Sequence, residues 1–199
     1  MATLQLFRAS DDDAPTTALL KAAHFAAIKH RNQIRKDGAT PYINHPIGVA
    51  TLLAAEGGVT DVAVLQAAVL HDTVEDTDAS PEEIREYFGD RVADLVAEVT
   101  DDTSLCAADR KQRQVETVRA ASDDAKLIKL GDKLYNLRDL TRKAPIGWTP
   151  ERIQQYFAWA KQVTDACKHV NPRLADLLDD LYENGVFTCS GESYKCLVV

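Results

Sequence analysis

The chain has 199 residues, 45% hydrophobic and 27% charged, enough for one compact domain with a sizeable core. A net charge of −8 argues against non-specific attraction to a nucleic-acid backbone, and no apolar stretch approaches the ~20 residues of a membrane span. Cys106, Cys167, Cys189 and Cys196 fit neither a CxxC pair nor a small disulfide framework, and residues 1–14 lack a signal peptide's apolar core, so free thiols in the cytoplasm are expected. Residues 1–14, with the run Asp11-Asp12-Asp13, read as a tail. Pro15-Thr16-Thr17 precedes a helix over 18–33, with Leu19, Leu20, Ala23, Ala27 and Ile28 at helical spacing. His45-Pro46 opens a second apolar run to Ala55, stopped by Gly57-Gly58. Thr60 is the expected cap of a third, over 61–71, whose Val, Leu and Ala content reads as buried. Ser80-Pro81-Glu82-Glu83 is a strong helix start, ended at Phe88-Gly89, and 91–99 forms another helix. A basic amphipathic helix follows over 108–120. The next, over 125–142, carries Leu127, Leu130, Leu134 and Leu137 on one stripe. Thr149-Pro150-Glu151 caps a helix to about 168, and Asn171-Pro172 caps the last, ended by Gly185. No Asn-Gly or Asp-Gly hairpin signal is flanked by alternating apolar residues. The expectation is an all-α fold of about nine helices over 15–185, with 186–199 as a second tail. That tail ends Cys196-Leu-Val-Val, formally a C-a-a-X pattern, but Val is not a typical final residue and only Lys195 adds basic charge beside it, so an unmodified tail is expected.

The chemistry gathers at His71-Asp72, at the end of an apolar helix. A carboxylate there meets the negative end of the helix dipole, at a cost of up to ~1 kcal/mol. Glu75, Asp76 and Asp78 add further negative charge. A divalent cation would offset that repulsion, and imidazole with carboxylate suits Mn²⁺, Fe²⁺, Co²⁺ or Zn²⁺; a solvated acidic loop is the alternative. His45, between Asn44 and Pro46, reads either as a ligand or as an exposed neighbour of a helix cap. Asp132 sits mid-helix beside Gly131, which costs ~1 kcal/mol relative to Ala. Two unfavourable residues in an apolar helix point to a functional site or to a partly exposed face. Lys129, Asp132 and Asn136 share one face there.

His45, His71-Asp72 and Asp132 together resemble the H…HD…D signature of the HD-domain phosphohydrolases. The flanks are more specific. Tyr42-Ile43-x-His45-Pro46, His71-Asp72-x-x-Glu75-Asp76-Thr77 and Asp132-Lys133-Leu134-x-Asn136-Leu137 resemble the hydrolase domain of the RelA/SpoT family, from about Leu19 to about Leu181, and the short chain is most similar to that family's stand-alone animal members. The resemblance implies a helical bundle with one Mn²⁺ and release of the 3′-pyrophosphate of guanosine 3′,5′-bis(diphosphate), ppGpp. It also implies a second activity, removal of the 2′-phosphate of NADPH. Carried over, His45, His71, Asp72 and Asp132 hold the metal, and Glu75 and Asp76 orient or deprotonate the attacking water. Arg35 and Lys36 contact the nucleotide at the mouth, Asn136 bonds the nucleoside, and Arg152 and Tyr156 lie near the phosphates, with core packing the alternative for Tyr156. Gly131 stands where the family has Ala and is expected to loosen the helix. Residues 103–109 (TSLCAAD) lack the lysines expected near the site. Lys111 and Arg113 read as a solvated basic face. His24, His30 and His169 match no ligand; His24 is expected in the core or on a helix face, the other two exposed. Rival readings are a non-catalytic nucleotide sensor, against which the intact ligand set argues, and a deoxynucleotidase, which the Glu75-Asp76-Thr77 continuation disfavours. The expected partner is a small nucleotide, with no nucleic acid or membrane.

Overall fold

A computed structural model describes residues 8, 10 and 12–198; most of the expected first tail therefore lies outside the described residues, and of the acidic run Asp12 and Asp13 are described. The helices are α1 (Pro15–Lys29), α2 (Asn44–Ala55), α3 (Val62–Leu70), the single turn α4 (Thr73–Asp76), α5 (Pro81–Phe88), α6 (Asp90–Val99), α7 (Ala107–Thr117), α8 (Asp123–Arg142), α9 (Pro150–Asp165) and α10 (Pro172–Asn184), with a 3₁₀ turn at Lys168–Val170. The fold is essentially all-α.

Capping chemistry sets most of these starts. Ser80, Ser122, Thr149 and Asn171 each accept the backbone N–H three residues on, which is typically worth ~1 kcal/mol per cap. Asp61, and not Thr60, caps α3, accepting from the Ala63 and Val64 amides. Helix α3 buries every residue from Val64 to Leu70 between α1, α2 and α6. Helix α8 is the central post, touching α2, α3, α6, α9 and α10. Its core stripe includes Ile128, while Leu127 is only partly buried.

Gly131 has a packing role in place of the expected loosening one. A Cβ at Gly131 would stand 2.9 Å from Leu53 Cγ and 3.2 Å from Val49 Cγ1, so its absence lets α2 press against α8. Gly48 on α2 gives way likewise to the Tyr135 ring. The close crossing brings the start of α2, with His45, opposite the middle of α8, with Asp132.

The second expected tail is folded. Val186–Cys189 (β1) pairs antiparallel with Glu192–Lys195 (β2) through the two-residue turn Ser190-Gly191. Both turn residues have positive φ, 52° and 86°, as a primed hairpin turn requires. Phe187, Cys189 and Cys196 are buried, and the Phe187 ring stacks on Tyr194 at 5.5 Å. Ser-Gly is a weaker signal than Asn-Gly, and strands of four residues show little periodicity. Cys196 is sealed in the core, its N–H bonded to Gly185 O, which is no place for a lipidated thiol; Val199 lies outside the described residues. All four cysteines are free thiols. Among the described residues no helix is long and apolar enough to cross a membrane.

Candidate active site

Four elements deliver one polar cluster into the buried interior. His45 sits in the first turn of α2, His71 and Asp72 form the junction of α3 and α4, and Asp132 lies mid-α8. His45 Nε2 lies 3.4 Å from Asp72 Oδ2 and 3.3 Å from Asp132 Oδ1. His71 Nε2 lies 3.1 Å from Asp72 Oδ1 and 3.9 Å from Asp132 Oδ1. His71 Nδ1 donates to the Ala68 carbonyl at 2.7 Å, the bond that turns the Nε2 lone pair toward the carboxylates. That Nε2 has no hydrogen-bond partner, and neither has the buried Nδ1 of His45. One donor atom each of His45, His71 and Asp72 falls within a 4.8 Å span. Two imidazoles and two carboxylates converging around an unpartnered ring nitrogen fit a divalent cation.

Charge in the cluster is held by its neighbours. Burial opposes ionisation of Asp132, but Lys133 and the two histidines keep its carboxyl far below the usual range. Burial also opposes charge on Asp72, and His71 and His45 outweigh it. Burial would discharge His71; the Asp72 and Asp132 carboxylates instead raise its pKa to about 9. Lys133 was only part of the motif in the sequence, with no role of its own. Its buried ammonium donates to Asp132 Oδ2 at 2.8 Å and lies 4.7 Å from the Trp159 ring centre. Asn136 donates to Asp132 Oδ1 at 2.6 Å.

Tyr42 is a second participant that sequence reasoning left without a role. Its hydroxyl lies 2.7 Å from Asp72 Oδ2 and 2.8 Å from Asp76 Oδ2, so one phenolic proton serves two carboxylates. Burial and those carboxylates keep the phenol protonated. Glu75 and Asp76 border the cluster from α4. Glu75 accepts from the Asp101 amide at 3.1 Å and faces Arg110 at 3.6 Å. Burial, then Asp101, raises the Glu75 pKa; burial, then Asp72, raises that of Asp76. His30 is buried, against expectation, its ring stacked on Tyr42 at 4.9 Å and its Nδ1 2.6 Å from Gln33 Oε1.

The cluster opens into a pocket of about 880 Å³. Arg35 and Lys36 line it, their loop held by Asp37, which accepts from the Ala39 and Thr40 amides at 2.9 Å. Arg35 donates to Asn136 Oδ1 at 2.6 Å and to Asp139 at 3.1 Å. Both ends of the Asn136 amide are thus engaged within the protein. Trp148, Tyr156 and Trp159 form an aromatic wall, with centroids 5.8 Å and 5.1 Å apart in succession. Burial pushes the Tyr156 phenol up to about 12. Arg152 is exposed and does not line the pocket; its guanidinium lies 4.5 Å from the Trp148 ring centre, on the rim. The cations missing from 103–109 come from elsewhere: Arg110 on α7 and Lys129 on α8 both line the pocket. Lys111 does not lie on a bare solvated face, since its ammonium stands 5.0 Å over Trp159.

This bundle and cluster are those of the HD-domain family, to which the chain belongs: the family's pattern, an HD domain, matches residues 22–158. Within it, the chain is similar over most of its length to metazoan proteins named guanosine-3′,5′-bis(diphosphate) 3′-pyrophosphohydrolase MESH1. The mouse protein is 56% identical over 166 residues, 83% of this chain and 93% of the relative. That of Drosophila melanogaster is 51% identical over 169 residues, 84% and 94% respectively. A solved structure of a metazoan orthologue of SpoT, described as hydrolysing ppGpp with a role in starvation responses, superposes with a TM-score of 0.81 at 50% identity, covering 87% of this chain and 97% of that one.

Proposed function

We propose that the chain is a metal-dependent hydrolase that cleaves ppGpp to GDP and pyrophosphate, with Mn²⁺ as its ion. The observation that carries this reading is the convergence of His45, His71, Asp72 and Asp132, with Glu75 and Asp76 beside them, in a pocket whose remaining lining carries more basic than acidic side chains and an aromatic wall. The two histidine Nε2 atoms and the two aspartates would hold the ion. When bound, it supplies Lewis acidity and lowers the pKa of water.

Glu75 and Asp76 orient the attacking water, and one of the two carboxylates takes its proton. Their raised pKa values make them better acceptors than exposed carboxylates. The Asp101 amide and Arg110 fix Glu75, while Tyr42 aims Asp76. Lys133 and Asn136 hold Asp132 in one orientation. Arg35 and Lys36 meet the phosphates, and Asn136, bonded to Arg35 and Asp132, keeps one N–H and one Oδ1 lone pair for a nucleoside contact. Tyr156 offers the pocket its ring, and Arg152 acts from the rim through Trp148.

NADPH 2′-phosphatase activity at the same site is a second reading. A pocket of about 880 Å³ with three aromatic rings in a row has room and stacking surface beyond one nucleotide. Free thiols at all four cysteines support a reducing, cytoplasmic setting.

The test is Asp132→Ala, read by metal titration and by pyrophosphate release. Loss of both together is expected. Wild-type turnover in a variant that no longer binds the ion would overturn the assignment.

A further inference from the structure

The C-terminal hairpin touches the pocket at one wall. Cys189 on β1 is buried, and its thiol lies 3.7 Å from the Trp148 carbonyl oxygen. Strand β2 is tied to α9 by the bond from Gln154 Nε2 to Lys195 O at 3.0 Å. The hairpin is anchored beneath by Phe187, fully buried and stacked on Tyr194. Trp148 lies near the end of the connection between α8 and α9, whose backbone is tied by the Lys143 amide on Asp139 O at 2.9 Å, the Ile146 amide on Lys36 O at 3.0 Å, the Trp148 amide on Pro145 O at 3.1 Å and the Ile153 amide on Thr149 O at 3.1 Å. The Trp148 ring stands 5.8 Å from Lys36 Nζ, 4.5 Å from the Arg152 guanidinium and 5.8 Å from Tyr156. It joins Lys36 and Tyr156, which line the pocket, to Arg152 on the rim.

We infer that the hairpin is a brace that sets the position of Trp148, and that Cys189 is a positioning residue for substrate binding. The ion cluster is set by the start of α2, the α3–α4 junction and the middle of α8; β1 packs on α8, and the hairpin meets the pocket lining at Trp148. Trp148 lines the pocket away from the ion cluster, so the contribution of the brace falls on nucleotide binding. A connection outside helix and strand loses conformational freedom when a ligand orders it, and a brace that removes this freedom beforehand tightens binding. The kinetic part of this inference rests on the nucleotide reading of the pocket; the structural part does not.

Two full-length variants test it. Gly191→Val places a β-branched residue at φ 86°, with no heavy atom within 4 Å of its Cβ, so it strains the turn without pushing on a neighbour. Cys189→Ala removes the thiol alone. Hydrogen exchange is read over 143–149, over 186–195 and along α3, without substrate; kcat and KM are read with ppGpp in saturating Mn²⁺. Both variants are expected to speed exchange over 143–149 by roughly fivefold or more with the core helix α3 unchanged. KM rises roughly three- to tenfold while kcat stays within about twofold, the pattern of lost binding. Faster exchange over 186–195 with 143–149 and KM unchanged would overturn the brace. Faster exchange along α3 as well would also overturn it, because the hairpin would then stabilise the whole fold. Inertness of the wild-type chain toward ppGpp would count against the functional reading only, since the exchange result stands apart from it.

Discussion

Replacing Lys133 with Met tests the electrostatics of the cluster. The ammonium is buried, 2.8 Å from Asp132 Oδ2 and over the Trp159 face. Met keeps the apolar stem and removes the charge. Breaking a buried ion pair from one side costs about 3–5 kcal/mol, because the remaining charge is left without its partner. With the ion bound, the Asp132 carboxylate still faces a dication, so the loss is smaller. Thermodynamic linkage then requires the folded variant to bind the ion more tightly than wild type, about tenfold for each 1.4 kcal/mol between the two losses. The assay is urea unfolding followed by circular dichroism, in chelator and in saturating Mn²⁺, with metal titration of the folded protein. Equal losses in both conditions would refute the reasoning, as would a loss below about 1 kcal/mol in chelator.

Glu75→Gln keeps the shape of the side chain and its bond from the Asp101 amide but cannot take a proton; it should retain the metal and lose ~10²–10⁴-fold in kcat, and a metal-loaded variant with undiminished turnover would remove Glu75 from the mechanism. Tyr42→Phe leaves Asp72 and Asp76 without their shared donor and should lower kcat/KM about 10–100-fold, the usual effect of losing a residue that orients ligands; turnover within twofold of wild type would contradict that role. His71, whose pKa the carboxylates raise to about 9, must lose its proton to ligate. Apparent metal affinity should therefore rise roughly tenfold per pH unit from 6.5 to 8.5 as one proton is released, and calorimetry showing a pH-independent affinity would dispose of this assignment. In the metal-free protein the same shift acts the other way: its stabilisation is full below pH 6.5 and fades as pH rises through about 9.

Much of this was legible in the sequence because caps and chemistry-bearing blocks are local. Ser80-Pro81, Thr149-Pro150 and Asn171-Pro172 mark their helix starts unaided. His45, His71-Asp72 and Asp132 stand out because each is out of place where it sits. What escaped depends on neighbours distant in sequence. Gly131 read as a weak point until α2 was laid against it. His30 has no signal for burial, since the ring that covers it belongs to Tyr42, beyond the turn. Lys133 sits beside a ligand, and nothing local distinguishes a buried, paired lysine from an exposed one. Arg152 has the right spacing from Tyr156 on α9, yet it stops at Trp148. The hairpin rests on a Ser-Gly turn and on Phe187 finding the core, and neither alternation nor composition announces it over four-residue strands.

The most direct measurement is product release from ppGpp and from NADPH side by side, in Mn²⁺ and in chelator. Pyrophosphate from ppGpp that appears with Mn²⁺ and vanishes with chelator is the predicted result, with kcat/KM ranking the two substrates. Absence of product from both, in protein shown to carry the ion, would contradict the proposed hydrolase.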